Sequence, residues 1–223
     1  MTEKMKQWIA DYIKPYAKLV EISNMEQGVK AIQNIAQGVY GNDLVQGPLT
    51  GMGKVKDETK EEYRKSVCEF ISDSILNGLF KKKITSQKDY NSWHLMTCDR
   101  IIELTHKNTD IFENLKYGFS YGLAQKWLNM TLKNMLAVGL WNNELEPVLE
   151  FLHVPVDNYI LKAAKELGVT PKAIKAWSRW DSYDDIYMDF QNCTREKIKS
   201  STDYTCPIEW EFGEWNKQRQ AKK

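Results

Sequence analysis

The sequence has few cysteines, and their spacing excludes the common metal centres. Four occur in 223 residues: Cys68, Cys98, Cys193 and Cys206. No two form a C-x-x-C pair, the pattern of zinc sites and many iron–sulfur clusters. A domain of this size does not need disulfides, so we expect buried thiols. We therefore expect neither a metal nor a cofactor.

Long apolar runs and a charge excess are also missing. No run approaches the roughly 20 apolar residues that span a bilayer, so we expect no membrane partner. Residues 1–7 carry charges with no apolar signal core behind them, which favours an intracellular, cytoplasmic protein. The net charge of +1 does not indicate nucleic-acid binding, but a local basic patch would be compatible with it.

The chain is rich in large apolar residues and in helical periodicity. Hydrophobic residues make up 42%, with eight Trp and eleven Tyr, as expected of a folded domain. Apolar residues recur at helical spacing, and no convincing alternating strand is visible. We predict one all-α module over 1–223, with two lobes around a cleft. Its helices are predicted at about 6–22, 25–39, 56–80, 86–104, 111–117, 123–138, 158–167, 171–180, 181–195 and 209–218.

The central stretch predicts a helical hairpin at about 110–138. A short helix, a turn with Gly118 and Gly122, and a second helix would present backbone N–H groups at a helix N-terminus. Such an end binds phosphate, and glycine permits close approach of a nucleic-acid backbone. Any αα-hairpin can turn on glycine, so an ordinary structural turn is the alternative.

Two charged side chains are candidates for chemistry. Lys126 lies on the second helix, apart from the apolar face. It is either a solvated lysine or an amine held partly neutral by desolvation, which could then attack an electrophilic carbon. Asp157 stands before the helix predicted at 158–167, where an N-cap is expected. A capping carboxylate is rigidly held, and its charge can stabilise a developing cation.

Both residues stand in motifs that resemble one family. Gly122-Leu123-Ala124-Gln125-Lys126 resembles the G-V-G-x-K of helix–hairpin–helix DNA glycosylases that also cleave at the abasic site, and His153-Val154-Pro155-Val156-Asp157 resembles their V-P-V-D segment. The Lys-to-Asp spacing is closest to the archaeal 8-oxoguanine glycosylase (AGOG) branch. The resemblance covers about 40 residues. Ala124 replaces the motif's second glycine, and the four-cysteine cluster of the endonuclease III branch is missing.

The resemblance implies a two-lobed helical fold and a defined chemistry. Lys126 would attack C1′ of a flipped nucleotide, displace the base and form a Schiff base, and β-elimination would nick the strand. Asp157, in the segment 153–167, would deprotonate the lysine and stabilise the oxocarbenium-like charge. Gly118 and the run Gly122, Leu123 and Ala124 would bind the DNA phosphate.

The implied partner is double-stranded DNA with a damaged or modified base, bound by a monomer associated with the nucleoid. By default the excised base is 8-oxoguanine, with a modified base of foreign or phage DNA as another possibility. Trp and Tyr are plentiful, and a flipped base stacks on aromatic rings. The candidates for the base pocket are Gln125, Trp93, Trp127, His153 and Trp177.

A second function competes with this one. Residues 161–177 resemble a helix-turn-helix, with Gly168 in the turn and Lys172 and Lys175 placed to meet phosphates. The alternative function is therefore a DNA-binding regulator without catalysis, in which Asp157 is only a cap. A helical interaction module without chemistry is a third.

Overall fold

A computed structural model describes residues 1–23, 28–45, 57–107, 119–172, 176–201 and 203–220. Within these ranges the chain forms helices and no strand, which confirms the all-α prediction. The α-helices are α1 Glu3–Ile13, α2 Ala17–Ser23, α3 Val29–Val39, α4 Asp57–Asp73, α5 Gln87–His106, α6 Tyr121–Ala137, α7 Asn142–Leu145, α8 Asn158–Glu166, α9 Asp189–Lys199 and α10 Pro207–Gln220. Segments of π-helix span Tyr40–Val45, Ser74–Phe80 and Tyr183–Met188, and 3₁₀-helices span Glu146–Phe151 and Trp177–Arg179.

Helix α6 is the centre of the molecule. It packs against α1, α3, α5 and the segments Tyr40–Val45, Trp177–Arg179 and Tyr183–Met188. Every residue from Gly122 to Ala137 is buried, including its polar ones. A helix enclosed on all sides places its polar side chains inside the protein, where each requires a partner.

Several helix ends follow the sequence signals. Ser86 caps α5 by accepting a hydrogen bond from the Asp89 N–H, and Asp157 caps α8 in the same way. Gly168 follows α8 with φ 84°, the left-handed conformation that glycine adopts without strain. Lys14 and Pro15 separate α1 from α2, so the helix predicted over 6–22 is two helices.

Other local predictions were wrong. The stretch between the helices predicted at 25–39 and 56–80 was expected to be non-helical, but as far as it is described it continues α3 as the π-helix Tyr40–Val45. The helix predicted over 171–180 is absent at Pro171 and Lys172, and its end is a single 3₁₀ turn. Residues 173–175 lie outside the described ranges, as does the predicted helix at 111–117.

None of the four cysteines forms a disulfide. Cys68, Cys98 and Cys206 are buried thiols as predicted, and Cys193 is partly exposed. In the described part of the chain, no helix is long and apolar enough to cross a membrane. No group of His, Cys, Asp and Glu in those ranges has the arrangement of a metal site.

Candidate active site

The structure brings Lys126 and Asp157 together. The two residues are 31 positions apart in the chain, and the lysine Nζ lies 2.8 Å from Asp157 Oδ2. The lysine side chain is 4% exposed and the aspartate side chain 15%. The other carboxylate oxygen, Oδ1, accepts the Ile160 N–H at 2.9 Å. One oxygen of Asp157 therefore caps α8 while the other pairs with the lysine.

The pair is ionised at neutral pH. Burial lowers the pKa of Lys126, but the charges of Asp157 and Asp43 outweigh burial and raise that pKa above its usual value. Burial raises the pKa of the Asp157 carboxyl, but Lys126 outweighs it and holds that pKa below its usual value. The expectation of a partly neutral lysine was therefore wrong for the free protein. The amine becomes a nucleophile only by giving up a proton, and Asp157 lies within hydrogen-bonding distance to take it.

Two side-chain amides hold the segment that carries Asp157. Gln125 accepts the Val156 N–H at 3.2 Å and donates to the Val156 carbonyl at 3.3 Å. Gln191 makes the same pair of bonds with Val154, at 3.1 and 2.9 Å. Because Gln125 precedes Lys126 on α6, the lysine and the aspartate are positioned by one connected set of bonds.

A buried network of His, Tyr and Asn side chains extends from Gln125. Asn129 donates to the Gln125 side-chain oxygen at 3.0 Å and to the Tyr187 hydroxyl at 2.9 Å. His153 Nδ1 is 2.9 Å from that same hydroxyl, and His94 Nε2 is 2.9 Å from Asn129 Oδ1. Burial lowers the pKa of His94 to about 4 and that of His153 well below its usual value, so both rings are neutral.

A second ion pair lies two turns further along α6. Lys133 Nζ is 2.8 Å from Glu211 Oε1, with both side chains fully enclosed. The rings of Tyr12, Phe212 and Trp215 surround the ammonium at 4.0 to 5.0 Å from their centroids. Lys133 lies two helical turns after Lys126 and therefore on the same face of α6, but sequence reasoning missed this pair. The helical spacing from Lys126 was the only available signal, and nothing in the sequence marked Glu211 as its partner.

The phosphate site predicted at the start of α6 is occupied by the protein itself. The Gly122 N–H donates to the Trp180 carbonyl at 3.0 Å, and the Leu123 and Ala124 N–H groups donate to Ser120. A Cβ at position 122 would overlap the Trp177 carbonyl oxygen. The close approach that this glycine permits is therefore by residues 177–180, and these three N–H groups are not free for a phosphate. Gly118 lies outside the described residues.

The five predicted base contacts are interior side chains. Gln125 and His153 belong to the networks above. Trp127 donates to the Ala36 carbonyl at 2.9 Å and Trp93 to the Ser74 carbonyl at 3.1 Å. Trp177 is 7% exposed, with its backbone against Gly122. All five are buried, and none of them lines the cavity near Lys126.

That cavity has a volume of about 390 Å³ and lies between α1, α2, α3, the π-helix Tyr40–Val45 and α6. Its polar lining residues are Tyr12, Tyr16, Asn34, Asn42, Asp43 and Asn134. Lys126 is not among the lining residues. Burial raises the pKa of both Asp43 and Tyr16, and the charge of Lys126 opposes that rise in each, so the lysine lies near this wall. Sequence reasoning missed the cavity because its walls come from distant parts of the chain.

Comparison with protein-family models, curated proteins and solved structures finds no match. The resemblance to the helix–hairpin–helix glycosylases therefore rests on the two short motifs and on the pairing of their lysine and aspartate.

Proposed function

We propose that the protein is a DNA glycosylase with abasic-site lyase activity, acting on duplex DNA that contains a damaged or modified base. The observation that carries the proposal is the contact between Lys126 and Asp157, whose side chains meet at 2.8 Å inside the protein. The two motifs were recognised separately in the sequence. A chance resemblance in either one would not require their reactive groups to touch.

The geometry supports a division of labour between the two residues. Asp157 takes a proton from Lys126, and the free amine attacks C1′ of the extruded nucleotide. Asp157 passes that proton on to solvent and is again a carboxylate, held by the Ile160 N–H and, through Val156, by Gln125. Its charge then lies beside the positive charge that develops on the sugar. Loss of the base leaves a Schiff base on Lys126, and β-elimination cleaves the strand.

Substrate access requires a rearrangement. Lys126 is 3% exposed, and the N–H groups at the start of α6 are already bonded within the protein. We infer that DNA contacts other surfaces first. Lys81, Lys82 and Lys83, exposed after the π-helix Ser74–Phe80, are cations that can meet phosphates.

The helix-turn-helix alternative has less support. Its second helix is absent at Pro171 and Lys172, and the Lys172 ammonium pairs with Asp189 at 2.5 Å. No described feature favours a regulator over an enzyme.

Borohydride trapping tests the proposal. The duplexes would carry 8-oxoguanine, uracil, hydroxymethylcytosine, glucosylated hydroxymethylcytosine or an abasic site. Wild type should form a covalent adduct with the abasic duplex and with one of the others, while Lys126→Gln should form none. Asp157→Asn should be folded and strongly slowed. Absence of any adduct with wild type, the abasic duplex included, would overturn the proposal.

A further inference from the structure

The cavity beside Lys126 has the size and lining of a site for a small planar molecule. Its volume of about 390 Å³ lies within the range of roughly 300–1,000 Å³ typical of small-molecule sites. Two tyrosines, three asparagines and one aspartate supply its polar lining. Amide and carboxyl groups pair with the edges of nucleobases, and aromatic rings stack on their faces.

The lining argues against an anionic ligand. Among the described residues that line the cavity, none is a lysine or an arginine, and Asp43 contributes a carboxyl group. A phosphate would meet this acidic wall without a cation to balance it. A neutral heterocycle fits the lining better.

Asp43 has an unusual position. It lies in the π-helix Tyr40–Val45, which directly follows α3, and π-helical turns are often found at functional sites. Tyr12 and Tyr16 line the same cavity, and the pKa of each is raised by burial and further by the charge of Asp43. Three further charged groups act on the pKa of Asp43: Lys126 and Lys133 of α6, and Asp157 at the start of α8. It is thus a carboxyl group that belongs both to the cavity and to the surroundings of the reactive pair.

We propose that this cavity holds the extruded base and that Asp43 gives the departing base its proton. The inference rests on the proposed function and adds the acid that the Lys126–Asp157 pair does not supply. Its substrate class is a neutral base with a ring nitrogen or carbonyl oxygen facing Asp43.

The proposed step conserves atoms and charge. Lys126 Nζ, neutral after its proton has passed through Asp157 to solvent, bonds to C1′ as the bond from C1′ to the base nitrogen breaks. The electron pair of that bond leaves with the base. The base takes the proton of the Asp43 carboxyl and departs neutral. Asp43 remains as a carboxylate beside the cationic nitrogen now attached to the sugar.

The surroundings of Asp43 raise the pKa of its carboxyl above the usual value, which increases the fraction that carries a proton. Burial raises the pKa of this carboxyl, and the negative charge of Asp157 acts in the same direction. Lys126 and Lys133 oppose the rise but do not cancel it. When the proton of Lys126 has passed through Asp157 to solvent, one of these two opposing charges is gone and the charge of Asp157 remains.

Asp43→Asn tests the role, because asparagine keeps the shape and cannot donate a carboxyl proton. Single-turnover excision would be measured on the duplexes named above, and borohydride trapping on the abasic duplex, which has no base to protonate. The variant should lose roughly 10²- to 10⁴-fold in excision, the usual contribution of a general acid, and keep wild-type trapping. Asp43→Glu should recover part of the excision. Asp73→Asn, at an exposed carboxyl of α4, should match wild type in both assays.

The outcomes separate the two proposals. Undiminished excision by Asp43→Asn would overturn the acid role. So would equal loss in excision and abasic trapping with the helical circular dichroism intact, because Asp43 would then act only through Lys126. A wild type that traps abasic DNA but excises no base would remove this inference and leave the lyase. A wild type inert in every assay would remove the proposed function itself.

Discussion

The side-chain amide of Gln125 forms two hydrogen bonds with the backbone of Val156: it accepts the Val156 N–H at 3.2 Å and donates to the Val156 carbonyl at 3.3 Å. It thereby ties α6 to the residue that precedes Asp157. The motif resemblance treated this position as variable. The structure gives it the role of holding the two reactive residues in register.

Gln125→Leu should therefore destabilise the protein and weaken the site. Leucine is close in size but leaves the Val156 N–H and carbonyl buried without partners, at a cost of about 1–3 kcal/mol for each unsatisfied group. Urea unfolding measures the loss. Gln7→Leu, at an exposed glutamine of α1, is the control and should unfold like wild type. Equal stability of the two variants would show that the hydrogen bonds between Gln125 and Val156 do not stabilise the protein.

Gly122→Ala should be strongly destabilising. The new Cβ would overlap the Trp177 carbonyl oxygen, so the 177–180 segment must shift from the start of α6. Overpacking of this kind costs about 1–3 kcal/mol. Gly41→Ala, where no atom lies within 4 Å of the added Cβ, is the matched control. A Gly122 variant with the thermal midpoint of wild type would contradict the packing at this position.

Lowering the pH from 7 to 5 should destabilise the protein through its two buried histidines. Burial lowers the pKa of His94 to about 4 from 6.5, and it lowers that of His153 well below its usual value. Because the unfolded chain binds these protons and the folded chain does not, stability falls as the pH drops below 6.5, and the contribution of His94 continues to be lost until about pH 4.

Urea unfolding at pH 7 and pH 5 measures this effect. The two histidines together should reduce the free energy of unfolding at pH 5 by on the order of 3 kcal/mol. His94→Gln should show a smaller decrease with pH, whereas His106→Gln, in the last turn of α5, should keep the wild-type dependence. A decrease unaffected by His94→Gln would show that other groups cause it.

The Lys133–Glu211 pair predicts a pattern across single and double variants. Lys133→Met leaves the Glu211 carboxylate buried without its cation, which costs about 3–5 kcal/mol. Lys133→Met combined with Glu211→Leu removes both charges and should recover most of that loss. Arg100→Ala breaks an exposed pair with Glu103 and should cost at most about 1 kcal/mol. Additive losses in the double variant would contradict a coupled buried pair.

The elements predicted from sequence are those whose signals are local. Helical periodicity predicted most of the helices. Ser86 and Asp157 begin α5 and α8 as N-caps, and Gly168 follows the end of α8, as their chemistry indicates. The π-helix at Tyr40–Val45 was missed because Gly41 and its polar neighbours have the composition of a loop. Residues 177–179 were predicted as part of a helix over 171–180. They form a 3₁₀ turn that covers the start of α6, and a tertiary contact of this kind has no signature in the local sequence.

The candidate site was predictable only in part. The two motifs identified Lys126 and Asp157. They did not indicate that the lysine is buried and ionised, or that a second carboxyl group, that of Asp43, acts on its pKa. Burial of the whole circumference of α6 depends on elements from both ends of the chain. The same burial moved the predicted base-contact side chains into the core.

The central claim is that Lys126 forms a covalent bond with the sugar of DNA. Its most direct test is borohydride trapping on an abasic duplex, followed by proteolysis and mass spectrometry of the adduct. Lys162→Gln, at an exposed lysine of α8, is the control and should trap like wild type. We predict a single adduct on Lys126, absent from Lys126→Gln. An adduct on another lysine, or an undiminished yield from Lys126→Gln, would contradict the account.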